Sequence, residues 1–319
     1  MASFRTWHCL VALFLLASAA HGQLSPSFYA TTCPTLGLIV RATMIKALLT
    51  ERRMGASLVR LLFHDCFVQG CDGSILLDDT GSFTGEKGAG PNANSVRGYE
   101  VIDQIKANVE VLCPGVVSCG NIVALASRDA RRANMGGAAR PARLDDGEPE
   151  PCQQRPPVAG LRPRHTHLGV RQQRPDCLSA RDLTALSGAH TIGFVQCKNF
   201  RGHIYNDTDI NAAFAALHQR TCPAAQGSGD SNLAPLDVQT QLVFDNAYYR
   251  NLVGQRGLLH SDQELFNGGS QDALVRQYSA NPALFASDFA AAMVKMGNIS
   301  PLTGSAGQIR SNCRVVNSS

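Results

Sequence analysis

Cysteine content constrains this chain more than any other feature. It has 11 cysteines: Cys9 in an apolar N-terminal stretch, Cys152 and Cys177 in a segment of odd composition, and eight others. Those eight are Cys33, Cys66, Cys71, Cys113, Cys119, Cys197, Cys222 and Cys313. In an exported chain, eight cysteines read as four disulfides, and spacing alone leaves the pairing open. The N-terminus supports export. Arg5 supplies a positive start, Cys9 to Ala17 is apolar but too short to span a bilayer, and Ala20-His21-Gly22 offers small residues for cleavage. The reading is a signal peptide over 1–22, a mature start at Gln23 and a single domain over 23–319, with a retained signal anchor as the alternative. Asn206-Asp207-Thr208 and Asn317-Ser318-Ser319 are glycosylation sequons; Asn298-Ile299-Ser300 is a poorer one because Pro301 follows.

The 319 residues are 44% hydrophobic and 17% charged, a globular composition whose length suits one large domain or two small ones. A net charge of +4 without clustering argues against a nucleic-acid partner. No later stretch is long and apolar enough for a membrane helix. Apolar residues recur at helical spacing over Ile39 to Leu49, Ala56 to Phe67, Tyr99 to Leu112, Asn121 to Ala130, Ser179 to Ser187, Asn246 to Val253, Gln271 to Tyr278 and Ala283 to Met296. Ser179 and Asp182 are spaced as a capping box, with aspartate replacing the usual glutamate. Cys113-Pro114-Gly115 closes the third run. Strand signals are sparse, so the expected class is all-α with little β structure.

Within the second run, Arg60 and His64 lie four residues apart and share one helix face. A cation beside a histidine in an apolar pocket suits cleavage of a bond that gains charge and shuffles a proton. Spacing equally allows a core histidine with a snorkelling arginine.

Ordered motifs resolve that choice. Phe28-Tyr29 with Cys33-Pro34, RLLFHDCFVQGCDGSILL from Arg60, PNANSVRGYEVID from Pro91, VSCGNIVALASRDA from Val117, DLTALSGAHTIGFVQC from Asp182, FDNAYYRNL from Phe244, GLLHSDQELF from Gly257, and MGNISPLTG with the run to Cys313 together resemble the secreted plant (class III) haem peroxidases. The resemblance covers nearly the whole mature chain apart from one segment. It implies an all-α fold with haem b sandwiched between two helical halves, and disulfides Cys33–Cys113, Cys66–Cys71, Cys119–Cys313 and Cys197–Cys222. It implies a monomer secreted to the cell wall or vacuole that reduces hydrogen peroxide and oxidises small phenolic donors by one-electron steps.

The exception is residues 130–177, crowded with Arg, Pro, Gly and Gln and without apolar periodicity. A run this long without structure counts against a normal part of a compact fold. Read one nucleotide later in generic codons, Asn134-Met135-Gly136 forces a tryptophan, and continuing through Asp146 permits T-W-(E/V)-V-P-L-G-R-R-D-S-T-T. The family carries GGPxWxVPLGRRDS at this place, so the segment reads as a shifted frame flanked by intact frame. The alternative function follows from it: a secreted, non-catalytic or misfolded remnant. A structural glycoprotein without haem would also fit the cysteines and sequons but leaves Arg60, His64, His190 and Asp262 unexplained.

The resemblance carries roles onto matching positions. His190, in GAHT, matches the iron ligand, and Asp262 the carboxylate that accepts a hydrogen bond from its other nitrogen. His64 matches the general base and acid, Arg60 the charge stabiliser, Asn92 the acceptor that holds the His64 tautomer, and Glu86 a supporting carboxylate. Phe63 matches the wall of the distal pocket; Arg53, Ser57, Ser95 and Gln196 fall where the family binds haem propionates. Two calcium sites are implied, one from Asp65, Val68, Gly70, Asp72 and Ser74, the other from Thr191, Asp237, Thr240, Val243 and Asp245, both rich in hard oxygen ligands.

Overall fold

A computed structural model describes residues 27–134, 178–302 and 304–317. The expected signal peptide and residues 135–177 of the anomalous segment lie outside them. Helices dominate: α1 (Leu36–Thr50), α2 (Met54–Cys66), α3 (Tyr99–Leu112), α4 (Cys119–Asn134), α5 (Ala180–Ser187), α6 (Cys197–Asn206), α7 (Ala212–Gln219), α8 (Ala247–Val253), α9 (His260–Gln263), α10 (Asp272–Ala280) and α11 (Pro282–Gly297). Among the described residues the only sheet is an antiparallel pair, β1 (Phe194–Gln196) and β2 (Leu233–Pro235), with Val195 opposite Ala234.

Local chemistry sets these boundaries. Helix α3 buries Val101, Ile102, Ile105 and Val109 on one stripe. Each such side chain contributes about 1.5–3 kcal/mol of burial free energy. The helix stops where Cys113 N–H donates to Val109 O, since the next residue is Pro114, which cannot continue it. Ser179 and Asp182 form the expected capping box at the start of α5. Pro282 opens α11 in the first turn, where its missing N–H costs nothing, and Asn281 Oδ1 accepts from Leu284 N at 3.0 Å.

The sequence reading missed α6, α7 and α9. CKNFRGHIYN mixes charge with few apolar positions, AAFAALHQ is a short alanine-rich turn, and HSDQ is a single turn; none shows a sustained period.

Helix α2 packs on α4, α1 lies across α3 and α4, α11 crosses α5, and α8 packs on α10. One buried cluster joins these elements, from Leu36 and Val40 through Leu58, Leu61, Ile102 and Ile122 to Tyr249, Phe285 and Phe289. A smaller one, around Cys197, Phe200, Phe214 and Leu258, knits α6 to α7 and the sheet. Four disulfides connect Cys33 to Cys113, Cys66 to Cys71, Cys119 to Cys313 and Cys197 to Cys222, the pairing the resemblance implied. No helix among the described residues is long and apolar enough to cross a membrane.

Candidate active site

Leu58, Leu61, Leu62 and Asp65 of α2 are buried, whereas Arg53 just before it, Ala56, Ser57, Arg60, Phe63 and His64 stay half open. Those positions recur at helical spacing, so one stripe of an otherwise buried helix is left uncovered.

On this stripe Arg60 Nε donates to His64 Nε2 at 3.1 Å. Its other nitrogens donate to Ser95 O at 2.9 Å, Pro91 O at 3.0 Å and Ser95 Oγ at 3.0 Å. Having accepted at Nε2, the His64 ring carries its proton at Nδ1, which donates to Asn92 Oδ1 at 2.5 Å. Burial first, then the Arg60 charge, pushes His64 down to about 4, and the Asn92 bond opposes both. Burial also lowers the proton affinity of Arg60. Asn92 Nδ2 donates to the Glu86 backbone carbonyl at 2.9 Å, while the Glu86 carboxylate instead accepts from Ser74 Oγ at 2.6 Å. Glu86 therefore supports Asn92 through its main chain, with its side chain turned to the loop after α2. Phe63 packs against Phe67 in a tilted pair with ring centroids 4.3 Å apart and sits edge-on to His64 at 5.6 Å.

His190 occupies the 3-10 turn Gly188–Thr191 that continues α5. Its position is fixed from behind. A Cβ on Gly188 would stand 2.4 Å from Phe285 Cε2 and 2.5 Å from the Tyr249 hydroxyl, so only glycine lets the turn press on this aromatic cluster. Tyr249 also donates to Thr184 O at 2.8 Å. His190 Nδ1 lies 2.7 Å from Asp262 Oδ1, leaving Nε2 with its lone pair. Burial depresses the basicity of His190, but the charge and hydrogen bond of Asp262 outweigh it and raise the ring above its ordinary value; Arg60 lowers it slightly. Asp262 is buried, and its second oxygen caps α9 by accepting from Leu259 N at 3.3 Å. One carboxylate thus serves both as helix cap and as histidine partner.

A further residue escaped the sequence reading. Tyr248, wholly buried, donates its hydroxyl to Asp262 Oδ1 at 3.0 Å, sharing that oxygen with His190. It lies in the FDNAYYRNL motif, but one of two adjacent tyrosines gives no sign of which way its hydroxyl points.

The two histidine regions meet. A Cβ on Gly193 would stand 3.1 Å from Ala56 Cβ, and the Arg53 guanidinium lies 4.8 Å above the Phe194 ring. Ser57 Oγ donates to Arg53 O at 3.2 Å, and Gln196 ends β1, half buried. Ser95 stands apart from these, bound to Arg60. Half-open stripes carrying two imidazoles with unprotonated Nε2 atoms fit an iron porphyrin.

Two oxygen clusters adjoin the histidines. Asp65 is fully buried; Oδ2 accepts from Gly73 N at 3.1 Å, and Oδ1 has no partner. Burial, then the charge of Asp72, raises Asp65 well above the usual carboxylate range. Asp72 Oδ1 accepts from Ser74 N at 2.8 Å, Gly70 O accepts from Asp72 N at 3.0 Å, and Val68 N donates to Asp65 O at 3.4 Å. Glu86 Oε2 is likewise buried and unpartnered. These orphaned oxygens fit a bound hard cation. In the second cluster Thr191 Oγ1 reaches Asp237 Oδ2 at 3.2 Å and Asp245 Oδ1 at 3.3 Å, and Thr240 Oγ1 reaches the same two atoms at 3.2 and 3.1 Å. Val243 closes this loop, its N–H donating to Thr240 O at 3.0 Å.

Comparison with known proteins gives an independent reading. The peroxidase family model matches residues 40–281. Peroxidase 70 of Zea mays is 54% identical over 321 residues, covering 99% of both chains. Peroxidase P7 of Brassica rapa subsp. rapa is 54% identical over 297 residues, covering 92% of this chain and 100% of its own. Peroxidase 4 of Vitis vinifera is 52% identical over 307 residues, covering 96% and 95%.

Proposed function

This chain belongs to the peroxidase family, among the plant (class III) members, and is a haem peroxidase that reduces hydrogen peroxide with electrons from donor substrates; from that premise we propose how its residues divide the work. The observation that supports the division best is the unbroken hydrogen-bonded chain from Glu86 through Asn92 and His64 to Arg60.

His190 would hold the haem iron through Nε2, with Asp262 enriching the ring in electron density by accepting at Nδ1. A b-type haem, when bound, would supply the two-electron and one-electron redox chemistry that the reaction needs. His64 Nε2 takes a proton from one peroxide oxygen and returns it to the departing one, acting as base and then acid. The Arg60 guanidinium, held by Ser95 and Pro91, faces the negative charge that grows as the O–O bond breaks. Asn92 keeps the His64 proton on Nδ1, so Nε2 stays an acceptor. Phe63 walls the pocket and keeps donors from the reacting oxygen. Arg53 would pair with a haem propionate by charge, with Ser57, Ser95 and Gln196 as polar neighbours; the Ser95 bonds to Arg60 make it the weakest member.

Asp65, Val68, Gly70, Asp72 and Ser74 would ligate one calcium ion, and Thr191, Asp237, Thr240, Val243 and Asp245 a second. The donors are small phenolics, and the protein is a secreted monomer of the cell wall or vacuole. Replacing His64 with Ala tests the assignment. The rate of reaction with peroxide is expected to fall by ~10²–10⁴, the usual contribution of a positioned base, with the haem Soret band retained. A variant that keeps full activity would remove His64 from the mechanism.

A further inference from the structure

A cluster outside this machinery joins α6 to α9. His203 Nδ1 lies 2.6 Å from Asp207 Oδ2, and His260 Nδ1 lies 2.7 Å from the same oxygen. The two imidazoles and the carboxylate offer three ligand atoms within 4.8 Å of one another. His203 and Asp207 stand four residues apart at the end of α6, and His260 opens α9.

The tautomer of His203 points beyond a simple hydrogen bond. Its Nε2 faces Gly257 O at 3.1 Å, and that carbonyl is held in place because Gly257 N donates to buried Gln263 Oε1 at 3.1 Å. A ring that gives its Nε2 proton to a carbonyl has a lone pair at Nδ1. Here Nδ1 meets a carboxylate oxygen, so either a second proton on the ring or a metal ion must sit between them. An imidazole held by a backbone carbonyl with its other nitrogen free is how metal-ligating histidines are oriented.

We propose that His203, Asp207 and His260 form a third cation site, which takes zinc. Two imidazoles and one carboxylate, completed by water, are zinc chemistry; calcium wants six or more oxygens, which this cluster lacks. Zinc holds such ligands at about 2.0–2.2 Å, so neighbouring donor atoms on a tetrahedral ion stand roughly 3.3 Å apart. The two nitrogen–oxygen separations, 2.6 and 2.7 Å, therefore open by under about 1 Å on binding. His260 gives way most easily, since its side chain is 48% exposed, whereas buried His203 stays fixed by Gly257. Glu264 Oε1, 3.7 Å from His260 Nε2, offsets part of the ion's charge. The same α9 carries Asp262, so the bound ion fastens the helix that holds His190 to the end of α6.

Calorimetric titration of the haem-loaded, calcium-replete enzyme with zinc chloride tests the site, comparing wild type with His260→Ala and Asp207→Asn. His260 is exposed and belongs to neither buried apolar cluster, so its replacement leaves those cores intact. Wild type is expected to take up one more zinc per chain than either variant, with release of protons and a rise in thermal midpoint that the variants do not show. Magnesium in place of zinc is expected to give no such uptake. Equal zinc stoichiometry in all three proteins would assign the ion to other histidines and overturn the proposal. No uptake by wild type would reduce the cluster to a proton-bridged clamp and overturn it equally.

Discussion

His64 shows how far surroundings move a single group. Burial first, then Arg60, bring it from the ordinary 6.5 down to about 4, with Asn92 pulling the other way. Above about pH 4 the folded ring is neutral and Nε2, which accepts from Arg60 Nε, keeps the lone pair that can take a proton; below it, the site fills. The second-order rate with peroxide should be level above pH 4 and fall about tenfold per unit below it, which stopped-flow kinetics would read. Stability follows the same sign. Between 6.5 and about 4 the unfolded chain binds more protons than the folded one, so this group lowers stability as pH falls through that window. Replacing Asn92 with Ala removes the bond that raises the His64 value and fixes its tautomer. The expected results are a roughly tenfold slower peroxide step and a kinetic midpoint moved to lower pH; an unchanged profile would take Asn92 out of the network. The identities of His64, Arg60 and Asn92 were legible in their motifs. That the Glu86 main chain, and not its carboxylate, holds Asn92 was not, because sequence carries no side-chain direction.

At the scale of elements, the His190 turn depends on glycine, and the loop after α2 encloses the first proposed calcium site. A Gly188→Ala variant places a methyl group where Phe285 and Tyr249 already stand, and overpacking of this kind costs about 1–3 kcal/mol. A lowered thermal midpoint with altered haem absorbance is expected; a variant as stable as wild type would mean that the aromatic cluster yields easily. The loop after α2 folds around the unpartnered Asp65 Oδ1, and Cys71 N donates to Ile299 O at 2.9 Å, sealing it against the chain's end. Removing the proposed calcium should leave the buried Asp65 Oδ1 without a partner, lower the thermal midpoint and slow the peroxide step through Ser74, Glu86 and Asn92. Restoring calcium should reverse both; a melt unaffected by verified calcium loss would remove the ion from this loop. Helix α3, with its regular apolar period, was readable to the residue, whereas the ends of α1, α2, α4 and α11 lie one to four residues from those read in the sequence. Helices α6, α7 and α9 were not, because they are short and held by the packing of Phe200, Phe214 and Leu258.

Across the whole molecule, disulfides tie distant segments. Cys119–Cys313 closes a separation of 194 residues and Cys33–Cys113 one of 80, while Cys197–Cys222 closes only 25. In the chain-entropy picture the longest closure restricts the unfolded state most. The double variant Cys119→Ala/Cys313→Ala is expected to lose about 2–5 kcal/mol in urea unfolding. The Cys197→Ala/Cys222→Ala pair is expected to lose less; the reverse order would mean that local strain outweighs loop entropy. The eight cysteines, the helical periods and the ordered motifs determined by themselves that the chain is a disulfide-bonded, mostly helical peroxidase, because these signals are local in sequence. Only the tertiary structure decided which atoms meet: Tyr248 on Asp262, Ser74 on Glu86, Ser95 on Arg60, and His203 with His260 on Asp207. Those contacts join residues far apart along the chain, or fix rotamers and tautomers that packing selects and no local pattern encodes.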